Sequence, residues 1–322
     1  NSTGIGGDCF AIVKMENKDP ISYNGSGIAP KKANFEFFES KDIDKIELTT
    51  PHSITIPGAL DAWKTIHDEH GKLDFEELFL NSINYAEDGY KVTKKVSEAW
   101  EKSFKKLNNH KITKNLYLKN GKVYKNNELR KNIPLANTLK TIKKNGIKEF
   151  YQGSITKDMV DSLNEIGGLH SIEDFSIQKT LKSKTISSNF KDMIVHQCPP
   201  NGPGVTVLLM LKLLEKLKIN KFNPDSVERF HVEAEVTKLC YKIREENIAD
   251  PNFVNINLET ILSEQSIQEL FNNISLNKCY KINDLKIPNH PETVYLTVVD
   301  KDLNSVSIIN SICYSFGSGI TS

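Results

Sequence analysis

The chain has 322 residues and a mass of 36.4 kDa, enough to bury a large core as one domain or two smaller ones. Its 42 lysines and arginines balance 41 aspartates and glutamates, which argues against a general nucleic-acid or anionic-membrane binder. No stretch reaches the run of about 18 apolar residues that a membrane-spanning helix needs.

Gly4-Ile5-Gly6-Gly7 opens the chain as a tight glycine turn, and residues 8–15 read as a buried strand. The glycines precede a strand rather than a helix, the wrong order for a dinucleotide fingerprint. Tyr23-Asn24-Gly25-Ser26-Gly27 reads as a turn, and residues 52–56 as a short strand. From Pro57 helices dominate, with Leu60, Trp63, Ile66 and His67 on one face of the first and Asp74 as the cap of the second. The lysine- and asparagine-rich stretch 102–145 is expected to be a solvated helical surface, interrupted by a hairpin-like segment at 116–124 with Asn120-Gly121 at its turn. Residues 154–166 form another expected helix, ended by Gly167-Gly168.

Residues 180–186 and 190–195 look like paired strands. Pro199-Pro200-Asn201-Gly202-Pro203-Gly204 is a rigid turn into an apolar helix over 205–217, and 226–248 is a long helix. The five cysteines (Cys9, Cys198, Cys240, Cys279 and Cys313) show no paired spacing, so reduced thiols in a cytoplasmic setting are expected. His196-Gln197-Cys198 lacks a second ligand pair nearby and reads as a packed strand end; no metal or other cofactor is expected. Asn1-Ser2-Thr3-Gly4 is neither an initiator methionine nor a signal peptide, and the stop at Ser322 follows a glycine-rich stretch, so the chain reads as a fragment. Strands near both ends with helices between predict an α+β layered body.

The segment Thr293-Val294-Tyr295-Leu296-Thr297-Val298-Val299 is rich in β-formers, Asp300-Lys301-Asp302-Leu303-Asn304 is turn chemistry, and alternation resumes from Ser305, which makes a hairpin. On these residues alone Thr293 is a structural strand residue. Read in order with the rest of the chain, the segments resemble the gamma-glutamyltranspeptidase family. The matching blocks are Gly4 to Phe10, Asn24-Gly25-Ser26-Gly27-Ile28-Ala29-Pro30, Ser53-Ile54-Thr55-Ile56-Pro57-Gly58-Ala59 and Ala86-Glu87-Asp88-Gly89-Tyr90-Lys91-Val92. They continue through Phe150-Tyr151-Gln152-Gly153, Gly167-Gly168-Leu169 with Glu173-Asp174-Phe175, Pro199 to Gly204, Thr293 to Asp300, and Ser315-Phe316-Gly317-Ser318-Gly319.

The resemblance implies a four-layer αββα sandwich of the N-terminal-nucleophile hydrolase type with a helical excursion. It would be cut between Glu292 and Thr293 into a large-subunit part, 1–292, and the start of a small subunit, 293–322. Thr293 would be the nucleophile, its new α-amino group, of pKa about 7.7–8.0 when unperturbed, the base. Ser311 matches the family's second hydroxyl, as serine instead of the commoner threonine. A gamma-glutamyl amide would be the donor, water or an amine the acceptor, and the protein's own small subunit the partner, with a homodimer of processed heterodimers among the assemblies allowed. Ser26 and Cys313 fall at substrate-binding positions, but Ser26 replaces an arginine and Cys313 an asparagine that in the glutathione enzymes hold the substrate α-carboxylate. A related acylase acting on a non-glutamyl amide, or an inactive homologue, stays open.

Overall fold

The computed structural model describes residues 2–281 and 293–322. Among them the strands are β1 (Asp8–Lys14), β2 (Ile21–Gly25), β3 (Tyr90–Lys91), β4 (Leu129–Arg130), β5 (Leu181–Lys184), β6 (Ile186–Phe190), β7 (Met193–Gln197), β8 (Val294–Val299) and β9 (Ser305–Ser311). In β1 the buried residues are Cys9, Ala11 and Val13, the period of two that puts alternate side chains on one face. Five strands form an antiparallel sheet in the order β5-β2-β1-β9-β8, while β3–β4 and β6–β7 pair separately.

The helix Ala59–His70 covers one face of that sheet. Cys9 packs on Ala59 and Ala62, and Ala11, Val13 and Tyr23 pack with Ile66. Small residues permit this close approach: a Cβ at Gly25 would stand 2.5 Å from the Ala62 Cβ. The helix start is tied to the strand start, because the Gly58 and Ala59 amides both donate to the Gly7 carbonyl, at 3.1 and 2.9 Å. Two amides left over at a helix N-terminus are thereby satisfied, and the peptide before Asp8 is held. On the other side, the Cys198 thiol donates to the Ala11 carbonyl at 3.8 Å, and Gly202 lies over the Phe10 ring. The β6–β7 hairpin packs on the helix Gly204–Lys216. Two helix-on-strand units therefore build the α+β body that the sequence predicts.

Two larger cores flank these layers. One gathers Ile56, Leu60, Phe75, Phe79, Leu139, Phe150 and Phe175; the other gathers Leu209, Leu213, Val232, Val236, Leu239 and Ile267. Each fully buried side chain of this size stabilises the fold by about 1.5–3 kcal/mol relative to exposure. The long helix Val227–Asn247 starts where expected, with the Ser226 hydroxyl accepting from the Arg229 amide.

Several local expectations change. Residues 23–27 are not a turn: Ile21–Gly25 is a strand, because β1 and β5 pair with it on either side. The expected pairing of 180–186 with 190–195 does not form: Leu181–Lys184 is β5 and joins the main sheet, and Ile186 begins β6, which pairs with β7. Pro51–Ser53 is a short 3-10 turn rather than part of a strand, and Asp74 precedes a 3-10 helix without a side-chain cap. Asn120 and Gly121 do make the expected tight turn, both with positive φ, closed by a bridge between Lys119 and Lys122.

His170 gives the fold a pH dependence. It is 3% exposed, its Nε2 bonds the Ile54 carbonyl at 2.9 Å, and its Nδ1 has no partner among the described residues. Burial lowers its pKa below the ordinary 6.5, although the Ile54 bond and nearby Asp174 act the other way. A depressed folded pKa means stability fully present above about 6.5 and lost as pH falls through the folded value. His170→Gln, which retains an amide donor for Ile54, is expected to move the acid-unfolding midpoint to lower pH. Fluorescence-monitored acid titration checks this, and an unchanged midpoint would show that His170 does not contribute.

Candidate active site

The β8–β9 hairpin sets the site's geometry. Its turn is closed by Asp300, whose amide donates to the Asn304 carbonyl at 3.0 Å and whose Oδ1 accepts the Asp302 and Asn304 amides at 2.9 Å. With the register fixed there, Val294 pairs with Asn310, so Thr293 falls beside Ser311. Their hydroxyls lie 3.1 Å apart, and the Cys313 amide donates to the Ser311 Oγ at 2.9 Å. Glu292, the other half of the expected cleavage pair, lies outside the described residues.

On its far edge β9 pairs with β1, Asp8 opposite Ser311. The close approach needs a glycine just before: a Cβ at Gly7 would meet the Ser311 carbonyl at 2.1 Å. Asp8 itself accepts the Gly27 amide on Oδ1 at 2.9 Å. Burial raises the pKa of its carboxyl above the usual carboxylate value, and the Gly27 bond only partly offsets that.

Ser26 is held away from Thr293 by a polar knot. Its amide donates to Asn24 Oδ1 at 2.9 Å, and its hydroxyl accepts from Asn201 Nδ2 at 3.2 Å. Asn24 Nδ2 in turn donates to Asn201 Oδ1 at 2.8 Å. The structure thus brings Thr293, Ser311 and Cys313 together directly, and Ser26 to the same row of the sheet on the other side of Asp8. Sequence reading passed over two members of this arrangement. Asp8 reads there as a strand residue and Asn201 as a turn residue, each inside a block of the resemblance but with no role at the site; the Asn-Gly pair inside a proline-rich loop is the available signal for the second.

Cys313 follows Ser311 in a left-handed conformation, φ +69°, rare for a residue with a side chain. Burial raises its thiol pKa, and the nearby Asp8 adds to this while Lys106 opposes it, which disfavours the reactive thiolate. The loop beyond is anchored from below. Lys106 Nζ donates to the Ser315 and Gly317 carbonyls at 2.8 and 2.9 Å, and Phe316 enters an aromatic cluster with Trp100 and Tyr117. A cleft of 1250 Å³ is lined in part by Gly6, Asp8, Ser311, Cys313 and Arg130.

His231, Glu235 and Cys279 are the one group of metal-ligand type among the described residues, their ligand atoms within 4.8 Å of one another. Glu235 already bonds Lys238 Nζ at 2.5 Å and the Tyr280 amide at 2.7 Å, so its charge is matched within the protein. Two of its members stand on the helix Val227–Asn247, and the group has no part in the hairpin site.

The geometry agrees with what the chain is similar to. The glutathione hydrolase-like YwrD proenzyme of Bacillus subtilis is 30% identical over 320 residues, 99% of this chain and 60% of that protein. The crystal structure of cephalosporin acylase from Bacillus halodurans superposes with a TM-score of 0.85 at 26% identity, covering 99% of this chain and 59% of that one. The gamma-glutamyltranspeptidase of Helicobacter pylori shares the fold, with a TM-score of 0.80 at 20% identity over 86% of this chain and 80% of that one. The chain spans about 60% of the length of the curated relative it matches. A family model described as Gamma-glutamyltranspeptidase matches residues 1–322, and the chain belongs to that family.

Proposed function

We propose that the full-length protein cuts itself before Thr293 and then transfers an acyl group from an amide donor to water or an amine. The observation that carries this reading is the 3.1 Å contact between the Thr293 and Ser311 hydroxyls at the head of β8. Cleavage would leave Thr293 with a free α-amino group. That amine takes the Oγ1 proton as Oγ1 attacks the donor carbonyl, and the donor C–N bond breaks as the departing amine receives the proton. Water or a second amine then attacks the resulting ester, and Thr293 regains its hydroxyl hydrogen. Ser311 supports the attacking oxygen, and the Cys313 amide orients the Ser311 hydroxyl.

A gamma-glutamyl donor is the substrate class that family membership favours. A non-glutamyl acyl amide is the second reading, favoured by Ser26 standing at the position where the resemblance expects an arginine, with its hydroxyl engaged by Asn201. The test is release of p-nitroaniline from a panel of acyl anilides by the processed protein, with glycylglycine as acceptor and mass spectrometry of the products. Acyl-glycylglycine or free acid accompanying p-nitroaniline is expected. Failure to release it from every donor would contradict the reading.

A further inference from the structure

A row of polar side chains crosses three strands at the mouth of the site. Ser311 is paired in register with Asp8, and residues so paired stand about 4.5–5.5 Å apart and point to the same side of the sheet. Cys9 pairs with Gly25, which places Asp8 opposite Ser26. The row therefore runs Thr293, Ser311, Asp8, Ser26, and the one charged side chain in it is the Asp8 carboxylate.

That charge has no counter-ion within the described residues: no lysine, arginine or histidine among them makes an ion pair with Asp8. Lys106 gives its ammonium to the Ser315 and Gly317 carbonyls. Arg130, which lines the same cleft, is 4% exposed and stacked against Trp100 and Tyr117, 5.1 and 4.9 Å from their ring centres. Among the described residues the one hydrogen bond to the Asp8 carboxylate comes from the Gly27 amide, on Oδ1. A half-buried carboxylate beside the attacking hydroxyls attracts a cation and repels an anion more strongly than it would in water.

We propose that Asp8 determines the charge of the acyl group this site accepts, selecting donors that carry an ammonium near the scissile carbonyl over those that carry a carboxylate alone there. The proposal rests on Thr293 being the residue that receives the acyl group. It reverses the polarity of a site built around an arginine, with Ser26 neutral and Asp8 supplying the only side-chain charge in the row.

Two ligands of equal length and opposite charge test it: 4-aminobutanamide and glutaramate, the monoamide of glutarate. Each is titrated calorimetrically into the processed full-length protein and into its Asp8→Asn variant, which keeps an oxygen to accept from Gly27. The wild type is expected to bind 4-aminobutanamide at least roughly tenfold more tightly. In Asp8→Asn the two affinities should fall within about threefold of each other, chiefly because glutaramate tightens. Equal or tighter glutaramate binding by the wild type, a ratio unchanged in the variant, or no binding of either ligand would overturn the proposal. A purely structural Asp8 would weaken both ligands alike and leave the ratio unchanged. Turnover of 4-aminobutyryl p-nitroanilide is measured alongside. Charge-selective binding without turnover would refute acyl transfer alone, whereas turnover without charge selectivity would refute the role of Asp8 alone.

Discussion

Thr293→Ala in the full-length protein is expected to give an uncut chain with acyl transfer reduced to background. The substitution removes the hydroxyl at the head of β8 that lies 3.1 Å from the Ser311 hydroxyl. Neither neighbour can replace it. Ser311 and Cys313 both lie inside the chain and never acquire an α-amino group as a base. Ser311→Ala is a graded companion, because it leaves the nucleophile and deletes a supporting bond. A hydrogen bond of this kind contributes about 0.5–1.5 kcal/mol net, so cleavage and turnover should slow by roughly two- to tenfold. A denaturing gel reads the cleavage and an anilide assay reads the turnover. Wild-type turnover in Thr293→Ala would exclude the mechanism.

Glutathione is expected to be a poor donor. The resemblance puts Ser26 and Cys313 at positions where a guanidinium and an amide would grip the substrate α-carboxylate, and Ser26 is engaged by Asn201. A charge-assisted hydrogen bond contributes about 1.5–3 kcal/mol, so losing it lowers kcat/KM by roughly 10- to 150-fold through affinity and positioning. Glutathione is compared with its des-carboxy analogue, in which the glutamyl residue becomes 4-aminobutyryl. The analogue should be used at least as well. If removing the carboxylate lowers kcat/KM by several orders of magnitude, the carboxylate is gripped by other residues.

What was legible in the sequence follows the range of the interactions involved. The β8–β9 hairpin could be read because Asp300 and Asn304 close its turn locally and β-branched residues alternate on both sides. The capped start at Ser226 is equally local. The Ile21–Gly25 strand was hidden, since Asn24 and Gly25 disfavour strands and only pairing with β1 and β5, distant in the chain for β5, overrides that preference. The division of 180–186 between two sheets likewise depends on β2, which no local pattern announces. In the site, Thr293, Ser311, Ser26 and Cys313 were reached through the resemblance rather than through spacing. Asp8 escaped because a carboxylate at the first position of a strand looks like an ordinary end, and its importance comes from β9, 303 residues later in register. Asn201 escaped for the same reason: its partners Asn24 and Ser26 lie 177 and 175 residues away.

The central claim is that Thr293 becomes an N-terminus, and the most direct measurement is the N-terminal sequence of the smaller fragment of the full-length protein. The purified protein should separate into two bands on a denaturing gel, the smaller one beginning Thr-Val-Tyr-Leu. An active protein that runs as one uncut chain, or a smaller fragment beginning at any other residue, would contradict the account.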